Sequence, residues 1–294
     1  MERMLRNKKT ILAFLLPALL IYIAIVMVPI GSTAYYSVFK WNILDPRKFV
    51  GIDNYVQLFT MDEVFRIGVK NTFILMLLSL VVQIPIAIAL AIAISGNIKG
   101  KRFFKTVFFM PNMLSSVAVG LLWFFIYSPD FGIVNRIFDA IGLSHLDQQW
   151  LADEKTVLPS IIVVVCWQFV GYHMILYLAA IENIPKSLCE AAVIDGASSG
   201  QMVRYITLPL IKPIIGIDAV LIATGSLRFF DLIFVMSGGG PNHASEVIAS
   251  YMYIKSFRDM QYGYGSAISV VLLILCLVVT QILNKAFKSE PIEF

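Results

Sequence analysis

The sequence predicts an all-α membrane protein with six transmembrane helices, and three observations carry that reading. Hydrophobic residues make up 59% of the 294 and charged residues 14%, and the mean hydropathy is +0.80. A soluble domain carries about a quarter charged residues, so this chain lacks the polar surface to cover itself in water. Six mostly apolar stretches, at 11–36, 71–95, 107–128, 157–181, 213–235 and 265–284, reach the roughly 20 helical residues that cross a hydrocarbon core of about 30 Å. Lys and Arg are shared unequally between the two sets of connections, as in a chain that crosses the bilayer repeatedly.

The first stretch follows Arg3, Arg6, Lys8 and Lys9, a positive start that a secretory signal shares. Its apolar run from Ile11 to Ile30 is longer than a signal core and no small-x-small cleavage pattern follows, which predicts an uncleaved anchor. The third and fifth stretches contain prolines and polar residues, tolerable where neighbouring helices or a water-filled path satisfy the backbone. One set of connections holds Arg3, Arg6, Lys8, Lys9, Lys99, Lys101, Arg102, Lys105, Lys186, Arg204, Lys212, Lys285 and Lys288. The other holds Lys40, Arg47, Lys48, Arg66, Lys70, Arg136, Lys155, Lys255 and Arg258, accompanied by eleven carboxylates. The short loop from Gly96 to Thr106 has four basic residues and no acid, and it decides the direction: both termini are expected to face the cytoplasm.

Composition also excludes other classes. Disorder, collagen and long coiled coils do not fit so apolar a chain. The net charge of +4, from 23 basic and 19 acidic residues, is small and unclustered, which argues against nucleic acid as a partner. Cys166 and Cys276 fall in apolar runs and Cys189 in a polar loop; without CxxC spacing they give neither a disulfide framework nor a zinc site. His145, His173 and His243 are too scattered for a metal site, and neither HExxH nor a nucleophile elbow occurs. Gly96-Asn-Ile-Lys-Gly100-Lys101 falls one residue short of a phosphate-binding loop and is followed by Arg102, so the chain is not expected to bind ATP. Gly238-Gly-Gly-Pro241 reads as a turn ending the fifth span.

The connection 182–213, between the fourth and fifth stretches, is longer than a bare link needs. Ser187-Leu-Cys-Glu190 and Ser198-Ser-Gly-Gln201 both have the capping-box pattern, in which the serine oxygen accepts from a free N–H and the Glu or Gln reaches back to the cap residue. Gly196, between them, can take a positive φ. The segment therefore predicts a short helix, a sharp turn and a second short helix, with Met202 and Ile206 on one face. Pro209 and Pro213 mark the return to the membrane. Physics alone leaves open an amphipathic loop lying on the bilayer surface.

The wording of this loop is more specific. Glu190-Ala-Ala-Val-Ile-Asp-Gly-Ala197, then Ile206-Thr-Leu-Pro209, resembles the EAA signature of the permease subunits of binding-protein-dependent ABC importers. That pattern is EAA, three positions, Gly, nine positions, Ile, one position, Leu-Pro. Met236-Ser-Gly-Gly-Gly-Pro241 with Tyr251-Met-Tyr253, Phe257 and Gly263-Tyr-Gly265 looks like the carbohydrate branch of that family. Phe49-Val-Gly-Ile-Asp-Asn-Tyr55 followed by Asn71-Thr72 does as well. Val203 and Gly200 depart from the aromatic and the tryptophan frequent in relatives, which softens the second short helix.

The resemblance implies a single permease domain over 1–294, of the type I ABC importer permease fold, in a bacterial-type plasma membrane. It implies a cytoplasmic coupling helix between spans 4 and 5 that sits in a groove of an ATPase. The coupling residues would be Glu190, Ala191, Ala192, Asp195, Gly196, Ala197, Ile206, Leu208 and Pro209. Ala191 and Ala192 would permit close approach, and Asp195 would supply charge. For Glu190 two roles stand open, pairing with a basic residue of the ATPase or only closing its capping box.

An ionisable group at bilayer depth is costly unless paired or facing water, so Asp218, Arg228 and Asp231 mark a functional region. The i, i+3 spacing of Arg228 and Asp231 predicts an ion pair on one helix, while Asp218 can reach water at the cytoplasmic end. Arg228 with Phe229, Phe230 and Phe234 offers donors beside aromatic faces, which suits a sugar; the competing role is helix packing. Trp167, Gln168 and Tyr172 in the fourth span and Asn112 and Ser115 in the third are either path-lining or helix–helix hydrogen-bonding groups. His173 reads as a satisfied packing residue.

The expected function is half of the translocation pathway for a sugar or oligosaccharide, with no catalysis. The implied partners are a second homologous permease, two cytoplasmic ATPase subunits that bind ATP and Mg, an extracytoplasmic solute-binding protein and membrane lipid. No cofactor is expected in this chain. The alternatives are the same kind of permease for a non-sugar solute and, further off, a secondary transporter, whose inverted repeats and midplane ion ligands are not visible here.

Overall fold

The computed structural model describes residues 8–96 and 98–287. Arg3, Arg6 and Lys288 of the charge count and Asn97 of the basic loop lie outside the described residues, as do the side chains of Lys8 and Lys9. Two compact units form: one from the N-terminal part through Asp62 with Met252–Val271, the other from Glu63–Tyr251 with the chain from Leu272 onward.

In the first unit, α1 (Lys8–Tyr22) passes through a π-turn, Ile23–Met27, into α2 (Val28–Tyr36). Pro29 has no N–H to donate and its ring crowds the preceding carbonyls, and the wider turn just before it accommodates both effects. Apolar side chains are exposed around this helix, Phe14 at 80% and Ile25 at 69%, so its partner is lipid or another chain. β1 (Phe39–Lys40) and β2 (Lys48–Phe49) pair antiparallel, and α3 (Asp53–Thr60) follows. The Phe49–Tyr55 wording is explained here. Gly51 takes φ +59°, Asn54 Nδ2 donates to the Ser37 and Phe39 carbonyls at 2.7 and 3.0 Å, and Tyr55 donates to Ser37 Oγ at 2.7 Å. Gly263 abuts the Phe39 carbonyl so closely that a Cβ has no room, and the neighbouring Tyr264 hydroxyl donates to Asp62 at 2.6 Å.

The second unit holds α4 (Glu63–Ser95), α5 (Lys101–Met113), α6 (Ser116–Ile126), α7 (Ile133–Ala140), α8 (Val157–Glu182), α9 (Lys186–Ile194), α10 (Ser199–Met202), α11 (Leu208–Leu227) and α12 (Asp231–Met236). α13 (Ile248–Tyr253) and α14 (Tyr262–Ala286) each contribute to both units. The core is built around α8, which packs on α4, α5 and α11. Leu75, Val119, Ile161, Val164, Leu232 and Ile233 form one fully buried cluster, and Ala87, Ala91, Met174, Tyr177, Leu178 and Ile211 a second. Asn71 and Thr72 tie α4 to the segment before α13. Asn71 Nδ2 donates to the Ala244 and Glu246 carbonyls, each at 2.9 Å, and Thr72 Oγ1 accepts from Ile248 N–H at 3.1 Å.

α8 and α5 touch at Gly171, where an added Cβ would collide with the Phe108 carbonyl, a backbone atom that cannot step aside. Gly171→Val is therefore expected to cost at least about 1–3 kcal/mol by overpacking and to lower the amount of folded protein in the membrane. Quantitative immunoblotting of detergent-solubilised protein by size exclusion checks this, with the exposed neighbour Tyr172→Phe as the control.

Among the described residues five helices are long and apolar enough to span, and the bent pair α5 and α6, counted as one span, makes the expected six. Three details are corrected. The third stretch is not a straight helix: α5 and α6 meet at 95°. Pro111 weakens the end of α5, and Leu114 and Ser115 take extended conformations that no helix continues through. Gln168 Nε2 reaches the freed Leu114 carbonyl at 3.5 Å. The fifth stretch starts much earlier than 213, because α10 continues through a π-turn, Val203–Thr207, into α11, without a separate short helix. Pro209 follows this π-turn as Pro29 follows the first. α11 then stops at Leu227, and residues 228–230 separate it from α12. The turn after Met236 is where the Gly-Gly-Gly-Pro wording places it.

Candidate functional site

The segment between α8 and α11 is held by a hinge and one cap. Pro185, not Ser187, is the cap residue of α9, and no side chain caps this helix. The proline's extended ψ sets the start at Lys186, which leaves Ser187 inside the first turn. Glu190 therefore does not close a box; its side chain is exposed and, among the described residues, in no ion pair within 4.0 Å. The second box does form: Ser198 N–H donates to Gln201 Oε1 at 2.8 Å and Gln201 N–H to Ser198 Oγ at 3.4 Å. Between them Gly196 takes φ +79°, Gly196 N–H donates to the Val193 carbonyl at 3.1 Å, and Ala197 N–H to that of Ala192 at 2.9 Å. Only glycine adopts that φ without strain.

This places an apolar face in the open. Ile194 is 85% exposed and Val193 61%, with Leu188, Glu190, Ala191 and Asp195 beside them. Ala192 and Ala197 are half-buried, so of the two alanines expected to permit close approach only Ala191 is exposed. Ile206 and Leu208 are half-buried and Pro209 exposed, on the continuous helix that leads into α11. At the other end, Glu182 accepts from Lys101 at 2.9 Å and Lys105 at 3.3 Å, which fixes the start of α5 to the end of α8.

The second feature is a cavity of about 380 Å³ within the second unit, inside the roughly 300–1,000 Å³ range of small-molecule sites. α11 and the break after it supply Ser226, Arg228, Phe229 and Phe230, and α12 supplies Asp231. α8 supplies Phe169, Tyr172 and His173, α4 supplies Gln83 and α6 supplies Ser116. The break at 228–230 changes the expected geometry of the charges. Arg228 Nε donates to the Thr224 carbonyl at 3.1 Å, and no ion pair joins it to Asp231 within 4.0 Å, because the two are not successive turns of one helix. Both are exposed toward the open space.

Of the residues expected to line a path, Arg228, Asp231, Phe229, Phe230 and Tyr172 come together here. Phe234 stands behind them, stacked on Phe230 with centroids 5.1 Å apart. Trp167 faces an apolar hollow with Val82 and Cys166, Gln168 is buried against the α5–α6 break, and Asn112 lies half-buried in the last turn of α5. Asp218 does not reach water: it is 0% exposed and its Oδ1 lies 2.6 Å from His173 Nδ1. Gln83, Ser116, Phe169 and Ser226 were missed. Gln83, a polar residue in an otherwise apolar run and 2% exposed, was the one with a readable signal. Among the described residues no cluster of three His, Cys, Asp or Glu side chains could hold a metal.

An apolar helical chain with a polar and aromatic cavity between its helices, and an exposed hinge segment outside them, is built as a membrane transport subunit. A family model described as a binding-protein-dependent transport system inner membrane component matches residues 83–290, and the chain belongs to that family. It is 38% identical to the probable ABC transporter permease protein YurN of Bacillus subtilis, over 98% of this chain and 99% of that one. It is 33% identical to the multiple sugar-binding transport system permease protein MsmF of Streptococcus mutans, over 97% and 98%. A chain of the bacterial alginate ABC transporter, solved in complex with an alginate pentasaccharide-bound periplasmic protein, superposes with a TM-score of 0.83 at 28% identity, covering 96% of each chain. The fold is that of the ABC importer permeases, and the chain is their membrane subunit, not an enzyme.

Proposed function

We propose that this chain forms half of the translocation pathway of an ATP-driven importer for a sugar or oligosaccharide. The cavity carries the reading: aromatic faces from Phe169, Phe229 and Phe230 stand beside the donors and acceptors of Arg228, Asp231, Tyr172, Gln83 and Ser226. A saccharide has C–H faces that stack on rings and a rim of hydroxyls that both donate and accept, so it uses both kinds of group at once. The sugar-transporting relatives support the same class. The chain acts as one permease domain, with both termini and the α9 hinge in the cytoplasm, as the basic loop at 96–106 argues.

A second permease completes the pathway. Two ATPase subunits bind ATP and Mg and hold α9 through Val193, Ile194, Ala191 and the free Glu190 carboxylate. An extracytoplasmic binding protein delivers the saccharide. This chain's own residues move nothing covalently. ATP-driven closure of the ATPase pair shifts α9, and the hinge at Gly196 and the capped α10 pass that displacement directly into α11, because α10, the π-turn and α11 are one continuous helix.

Cysteine labelling tests the orientation. In a background without native cysteines, Ser144→Cys and Asn242→Cys are expected to react with an impermeant maleimide in intact cells, and Lys99→Cys and Ser199→Cys only after permeabilisation. The opposite pattern would invert the proposed topology.

A further inference from the structure

We propose that His173 is a specificity-determining residue: held against Asp218 through Nδ1, it presents Nε2 to the cavity as a fixed hydrogen-bonding atom for a hydroxyl of the transported saccharide. The proposal deepens the sugar reading above and rests on it. Its first support is the fixed ring. His173 Nδ1 and Asp218 Oδ1 are 2.6 Å apart, and the two residues are 4% and 0% exposed. A saccharide hydroxyl both donates and accepts, so it can meet Nε2 in either protonation state of the ring. A flipped ring would take Nδ1 away from Asp218 Oδ1 and cost the buried carboxylate that contact.

The second support is where the other nitrogen lies. His173 forms part of the cavity wall, and its Nε2, which makes no hydrogen bond among the described residues, is not among the sealed polar atoms that lack partners. It therefore has access to space, and the cavity supplies that space. The third is complementarity. Arg228 offers only donors, and the imidazole Nε2 adds a fixed hydrogen-bonding atom from a different helical element of the same wall. A site with such a fixed atom discriminates strongly against a substrate that lacks the matching hydroxyl, since the atom is then left desolvated and unpaired.

Two substitutions separate this role from helix packing. His173→Asn retains a polar atom where Nδ1 stands, so it keeps a donor to Asp218 and removes the atom that faces the cavity. His173→Gln carries its amide out to the position of Nε2, where it can hydrogen-bond a hydroxyl. The importer is purified with its native partner subunits through a tag on this chain, reconstituted with ATP inside, and offered a mixture of partial hydrolysates of starch, chitin and pectin. Imported components are identified by mass spectrometry.

The expected result is a tenfold or greater rise in KM for the imported components with His173→Asn, and recovery of most of that loss with His173→Gln. The reverse order, in which Asn imports with the wild-type KM and Gln fails, would confine His173 to packing and overturn the proposal. Failure of both variants to assemble would overturn it as well. Wild-type KM in both would sink the proposal while the sugar reading stands, whereas a wild-type complex that imports no component would sink the sugar reading and this proposal with it.

Discussion

Gly196→Pro is expected to stop ATP-driven uptake while leaving the protein in the membrane at its normal level. Proline holds φ near −65°, while position 196 sits at +79°, and the substitution also deletes the N–H that donates to the Val193 carbonyl. The space around Gly196 is open, so the damage is to the backbone turn and not to packing. α9 would then point elsewhere and miss its groove. Ala192→Asp is expected to act similarly, since it forces a charge into a half-buried position at the foot of the same turn. Loss of a key interface contact of about 2–5 kcal/mol corresponds to a fall of roughly 30-fold to several thousandfold in coupling. Sugar-stimulated ATPase activity of the reconstituted complex is the check. Wild-type stimulation in both variants would remove the hinge from the coupling route.

Arg228→Ala is expected to weaken uptake by roughly 10- to 150-fold, the loss of one or two charge-assisted hydrogen bonds of about 1.5–3 kcal/mol to the saccharide. Asp231→Ala is expected to reduce uptake too, without harming assembly. That expectation depends on the break at 228–230. Had the two formed a buried pair, removing Asp231 alone would strand a cation and be worse than removing both. They do not pair, and both face open space, so the effects on uptake should be near additive and the membrane level of the complex should be normal in all three variants. A single Asp231→Ala variant that fails to assemble, rescued by adding Arg228→Ala, would show instead that the charges pair in the assembled importer.

The chain's class was legible because bilayer thickness dictates span length and because the segment 182–213 carries the family's residue types at their fixed spacing. Gly196 was readable for a single physical reason, the φ it must take. The first capping box was not. Ser187 and Glu190 have the same pattern as Ser198 and Gln201, but with Pro185 as the cap the helix starts two residues earlier, and the box depends on that register. The Arg228–Asp231 pair failed for a related cause: i, i+3 neighbours meet only on an unbroken helix, and nothing in Arg-Phe-Phe announces a break. The 95° bend between α5 and α6 was half visible in Pro111, but its stabilisation by Gln168, on another helix, was not. The His173–Asp218 contact joins residues on two helices, and no local pattern carries a partnership at that distance.

We propose that an ATPase drives this permease through α9. Saccharide uptake into proteoliposomes containing the whole complex tests it most directly, with the binding protein outside and ATP either inside or withheld. Accumulation is expected only when ATP is enclosed, and none when the ATPase subunits are omitted. Uptake at an undiminished rate without ATP, driven by an imposed proton or sodium gradient, would contradict it.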